Sequence, residues 1–127
     1  MKKIKHIKSI IIIVIIVIIT FVTSMLNSNR ITLIINNKTN KNIDLKLNYT
    51  GLKKDITIPT IKSNDNIKYK VYIGKDFKEG SLSIYYTDEN NKKVKFVVVG
   101  YFEKGYKDTI NIIIKEINDK IEITTKR

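Results

Sequence analysis

Residues 9–26 read SIIIIVIIVIITFVTSML. This run holds no charge, no Gly and no Pro, and residues 10–19 are all Ile or Val. As a helix rising about 1.5 Å per residue it reaches about 27 Å, close to the hydrocarbon thickness of a bilayer. A chain of this size has no core wide enough to hide such a helix. The run is therefore expected to lie in a membrane.

The flanks give a direction. Residues 1–8, MKKIKHIK, carry Lys2, Lys3, Lys5 and Lys8 and no acid, whereas Arg30 is the one charge just beyond the run. Short basic flanks stay in the cytoplasm. The expected layout is a cytoplasmic flank at 1–8, an anchor at 9–26, a spacer at 27–30 and an extracytoplasmic domain at 31–127. The protein is then a single-pass cell-membrane protein with its N-terminus inside.

A secretory signal peptide has the same order of parts. Its cleavage site wants small residues, and the chain contains no Ala. The best substitute is Val22-Thr23-Ser24, with cleavage before Met25. An uncleaved anchor fits better, and a secreted protein is the alternative. A lipid-modified anchor needs a Cys, and there is none.

The net charge of +12 invites a polyanion as partner. The N-terminal flank and Arg30 supply +5 of it, and the remaining +7 is dispersed, with no basic run longer than two residues. Ile, Lys and Asn dominate, which suits an A/T-rich genome filling solvent positions with Lys. Anionic lipid headgroups or surface polymers remain candidate partners. Nucleic acid does not, since no basic helix or stacking motif is present. With no Cys, the domain must stand on its apolar core alone.

After residue 30 the chain alternates. Ile43, Leu45, Leu47 and Tyr49 take one parity and Asp44, Lys46 and Asn48 the other. Period two puts such sets on opposite faces of a strand, one buried and one wet. Residues 31–35, 55–59, 67–73, 82–86, 93–101, 109–117 and 121–123 behave as further strands. The expected inward sets are Ile67, Tyr69, Val71 and Ile73; Leu82, Ile84 and Tyr86; Val94, Phe96 and Val98; and Ile110, Ile112 and Ile114. Pro59 cannot donate to a ladder, so its strand belongs at an edge. Gly100 marks a bulge, and Asn118-Asp119 a two-residue hairpin turn. Eight strands with short turns predict an all-β fold, an antiparallel β-sandwich.

Catalytic signals are thin. The single His, His6, lies in the cytoplasmic flank. No Ser/His/Asp set, HExxH, P-loop or GxGxxG occurs. Asp65, Asp88 and Glu89 fall in turn-like surroundings, Asp44 and Asp55 belong to expected strands, and Asp88-x-Asn90 is only a fragment of a calcium loop. A non-enzymatic module without cofactor, metal or small-molecule substrate is the expectation. An acid-only enzyme on a wall polymer is the alternative. Asn37-Lys38-Thr39 and Asn48-Tyr49-Thr50 match the N-glycosylation pattern; in a bacterial host they would mean nothing, and Asn richness favours chance matches.

Residues 100–106, GYFEKGY, gather three aromatics around two Gly. Tyr101, Phe102 and Tyr106 are the candidate partner-binding residues, because aromatics dominate interface hot spots. Parity leaves open whether Tyr101 or Phe102 is exposed, since a bulge at Gly100 shifts the register; Tyr101 is favoured for its hydroxyl. Tyr106 is expected to hold its turn.

The basic start, the Ile/Val anchor, Tyr49-Thr50-Gly51 and Gly105-Tyr106 resemble the membrane-anchored immunoglobulin-like modules of low-GC bacteria. The resemblance implies a Cys-free immunoglobulin-like sandwich. It also implies a tyrosine corner at Tyr106, with the hydroxyl bonded to nearby backbone. It implies no activity.

Overall fold

The computed structural model describes residues 2–26 and 30–127. Met1 of the basic flank and Asn27 to Asn29 of the spacer lie outside the described residues.

Helix α1 (Lys2–Leu26) includes the basic flank as well as the apolar run. It is long and apolar enough to cross a membrane, the same test that a signal sequence passes. Its Ile, Val and Phe side chains from Ile4 to Val22 are all exposed. The hydroxyls of Ser9, Thr20 and Thr23 are satisfied inside the helix. Ser9 donates to the Lys5 carbonyl, Thr20 to Ile16 and Thr23 to Ile19, at 2.9–3.1 Å. That leaves these groups without need of water, the condition for lying in lipid.

The rest is mostly β. The strands are β1 (Arg30–Asn37), β2 (Lys46–Tyr49), β3 (Ile56–Thr57), β4 (Asn66–Tyr72), β5 (Glu79–Thr87), β6 (Lys93–Glu103), β7 (Asp108–Ile117) and β8 (Lys120–Lys126). They form two four-stranded sheets, ordered β4-β1-β7-β8 and β3-β2-β5-β6. One core lies between them. The first sheet contributes Ile31, Leu33, Ile35, Val71, Ile110, Ile112 and Ile114. The second contributes Leu47, Leu82, Ile84, Val98, Val99 and Phe102, and Leu45 joins them from just before β2. The alternating sets therefore face inward as predicted, with Ile43, Tyr49, Ile67, Tyr69, Tyr86 and Phe96 half-buried at the rim.

Several expectations need correction. The β fold is not wholly antiparallel: β1 and β7 pair in parallel, Ile31 opposite Asp108 through Asn37 opposite Ile114. Short turns dictate antiparallel pairing only between sequence neighbours. β1 and β7 both start at the same end of the molecule, and the intervening chain has crossed between the sheets. The second segment keeps its alternation but is laddered only from Lys46, with Ile43 joined to Ile61 by an isolated bridge. The strand before Pro59 shrinks to Ile56–Thr57, at the sheet edge where the Pro belongs.

β6 departs most. It carries an extra residue twice relative to β5: Val97 and Val99 pair with the consecutive Ser83 and Leu82, and Val99 and Phe102 then span Leu82 and Gly80. The first shift buries Val98 and Val99 together, and the second, which includes Gly100, restores the original parity. On β5, Gly80 is required by close approach, since a Cβ there would sit 2.3 Å from Thr50 Cβ.

The end where β1 begins is called the lower end, the opposite one the upper end. Loops 50–55, 73–78 and 104–107 lie at the lower end; loops 38–45, 58–65, 88–92 and 118–119 lie at the upper.

Candidate functional site

The three aromatics singled out in the sequence meet at the lower end but play three different parts. Phe102, on the restored inward parity of β6, is 3% exposed. Its ring stacks on Phe77 at 4.6 Å, with Tyr106 at 5.7 Å on its other flank. Phe102 therefore has no surface to offer a partner. Tyr106 is half-buried, and its hydroxyl donates to Asp108 Oδ2 at 2.6 Å. The corner bond goes to a carboxylate two residues on, not to backbone. Burial, reinforced by the Asp108 carboxylate, pushes the Tyr106 phenol above its usual range. A tyrosine-to-backbone bond does occur nearby, at Tyr49, whose oxygen accepts the Gly74 N–H at 3.2 Å.

Tyr101 is the exposed member, at 59%. Its hydroxyl lies 2.9 Å from both Glu79 Oε2 and Glu103 Oε1. Those residues are directly opposed across β5 and β6, where two like charges repel. The phenol has one proton and serves one carboxylate at a time. Both carboxylates hold that proton on, so the Tyr101 pKa is pushed well above the usual phenol value, Glu79 contributing most.

Beside this cluster lies an open recess of about 400 Å³ between the 49–52 and 74–79 segments. A second depression of about 410 Å³ lies on the outer face of the first sheet, lined by Arg30, Thr32, Lys68, Lys70, Lys107, Asp108 and Thr109. Four of those seven residues are cationic.

The two ends differ in charge. The lower loops hold six Lys (53, 54, 75, 78, 104, 107) against Asp55 and Asp76. The upper loops hold four Lys (38, 41, 62, 92) against five acids, Asp44, Asp65, Asp88, Glu89 and Asp119. With the strand-terminal residues counted as well, both ends are net positive and the lower end is slightly the more so. At the upper end Lys41 is bridged to Glu89 and Glu116, which raises its pKa, the Glu116 contact most.

The acids named in the sequence do not converge. Asp44 accepts from the Thr60 hydroxyl, and Asp65 accepts the Asn66 N–H. Asp88 accepts the Asn90 and Lys92 N–H groups of its own turn, and Glu89 pairs with Lys41. Asp55 lies on a sheet face between Asn48 and Lys93, whose hydrogen bonds hold its pKa below the usual carboxylate range.

Composition did not single out the Asn37 cluster at the upper end. Asn37 is 1% exposed, and its Nδ2 donates toward the carbonyls of Lys41, Ile61 and Lys62. Its Oδ1 accepts from the Thr39 backbone N–H and hydroxyl at 3.0 and 2.7 Å. The amide is consumed by the fold, which takes the first glycosylation match off the surface. The signal was present in the alternation of Ile31, Leu33 and Ile35, whose next inward position is 37.

No protein-family model matches the chain, and no curated protein sequence matches it. Among solved structures, an NMR structure of a protein from Eubacterium rectale is similar, at 21% identity over 77% of this chain and 87% of that one, with a TM-score of 0.47.

Proposed function

We propose that the protein is a non-catalytic, single-pass membrane module. Its N-terminus is cytoplasmic, α1 crosses the bilayer, and an immunoglobulin-like sandwich stands outside to engage another envelope protein. The observation that carries this is the division of apolar surface. The helix exposes its Ile and Val side chains all round, while every residue of the domain core comes from position 31 onward. Two separate solvents, lipid and protein interior, then account for the two apolar sets. Asp44, Asp55, Asp65, Asp88 and Glu89 hold separate partners, so these five do not form the convergent pair that an acid-only enzyme requires.

Alkaline washing of membranes followed by intact-mass measurement tests the anchor. The expected result is a full 14.8 kDa chain retained in the bilayer. A soluble chain beginning at Met25 would convert the protein to a secreted one, the alternative that Val22-Thr23-Ser24 favours. Protease added to intact cells should cut the domain and leave the basic flank.

A further inference from the structure

The anchor and the charge asymmetry share one end of the molecule. α1 ends at Leu26 and β1 begins at Arg30, so three residues separate the apolar helix from the lower end. A fully extended link of that length spans at most about 15 Å. The lower loops therefore stay near the bilayer if the helix is in it, and these are the Lys-rich loops.

The surface there matches a headgroup layer in a second way. Outside the helix, two tyrosines are strongly exposed, Tyr72 at 60% and Tyr101 at 59%, and both lie at the lower end. Tyr72 closes β4 opposite Arg30, and Tyr101 precedes the β6–β7 loop. Tyrosine is enriched at membrane–water interfaces because its ring is apolar and its hydroxyl wet. Lys75, Lys78 and Lys104 are exposed in the lower loops, where they outnumber Glu79 and Glu103, the carboxylates bonded to the Tyr101 hydroxyl, and the cationic depression at Arg30, Lys68 and Lys70 extends the patch up the sheet face. Attraction to anionic lipid reaches only about a Debye length, roughly 8–10 Å, so it acts at this end and hardly at the other.

We infer that the lower end is a docking surface for anionic phospholipid headgroups, seating the domain end-on against the membrane that holds its helix. The upper end, with its surplus of loop carboxylates, is then the face turned toward partners. This rests on the anchor assignment proposed above.

The test uses the full chain in nanodiscs of phosphatidylcholine with or without about a third phosphatidylglycerol, each containing a gadolinium-headgroup lipid. Relaxation of backbone amides reports distance from the headgroups. In anionic discs, amides at 50–54, 74–78 and 104–107 should relax at least about twofold faster than in neutral discs. Amides at 38–42 and 88–92 should be unchanged. Added NaCl should erase the difference, a control that needs no variant. Lys75→Glu, Lys78→Glu and Lys104→Glu combined should erase it as well, with unchanged melting temperature. If that variant is unfolded, the three Lys→Gln changes replace it. Equal relaxation in both lipids, or equal relaxation at both ends, overturns docking. So does displacement from anionic discs by soluble polyphosphate at equal charge, which would point to a surface polymer instead. Failure of the anchor is read separately, from the intact mass of the cellular protein.

Discussion

At the upper end, one buried amide at Asn37 gathers three carbonyls and the Thr39 side chain. At the lower end, Tyr49, Phe77, Phe102 and Tyr106 form a chain of ring contacts between 4.6 and 5.8 Å. The first closure is directional, since each bond fixes the position of a particular backbone group. The second is contact area, which tolerates variation in the loops around it. The turn residues follow the same division. Left-handed positions at the upper end are Asn64, Asn91, Asn118 and Asp119; at the lower end they are Gly51 and Gly105. A polar clasp thus fixes the end assigned to partners, and an aromatic plug supports the basic end.

The contrast can be broken from either side. Phe102→Ala removes the centre of the plug, and large-to-small changes at buried aromatics cost about 3–5 kcal/mol. Urea unfolding should show that loss, with a larger shift in midpoint than Asn37→Leu, Gly80→Ala or Tyr101→Phe produces. Asn37→Leu keeps the volume but strips donors from the carbonyls of Lys41, Ile61 and Lys62. Buried acceptors left unpaired cost about 1–3 kcal/mol, and amide exchange at 61–65 should quicken before the rest of the sheet. Gly80→Ala drives a methyl into Thr50 and should cost about 1–3 kcal/mol through overpacking.

The smallest effect is expected at Tyr101. Its folded pKa is raised, so the contribution of its bonds to Glu79 and Glu103 is complete below the ordinary phenol range. That contribution is lost as pH rises through the higher folded value. Tyr101→Phe should leave the melting temperature nearly unchanged at neutral pH. It should also remove one late-ionising phenol from the ultraviolet absorbance titration. Loss of a phenol from the ordinary range instead would mean that the carboxylates do not hold the proton.

Much of this division was open to sequence reasoning, and the reason is periodicity. Ile110, Ile112 and Ile114 declare their face because a strand repeats every two residues. The expected hairpin at Asn118-Asp119 has positive φ at both residues, as a two-residue turn between twisted strands requires. Tyr101 and Phe102 were not separable because parity survives only while pairing is regular. β6 shifts register twice, and the two shifts cancel. Parity points Asn37 inward, but what satisfies its amide was hidden, because its acceptors at Ile61 and Lys62 arrive from 24 and 25 residues away. Gly80 looked like a loop residue for the same reason: its constraint is Thr50, brought in by another strand.

The parallel pairing of β1 with β7 also sets a timetable. β1 is the first strand to leave the ribosome and a central strand of its sheet, yet its partner on one side runs from Asp108 to Ile117. Until that segment emerges, an Ile-rich strand must wait with one edge unpaired, a condition that slows folding and invites aggregation. Chains truncated before Asp108 should therefore fail to fold rather than form a smaller domain.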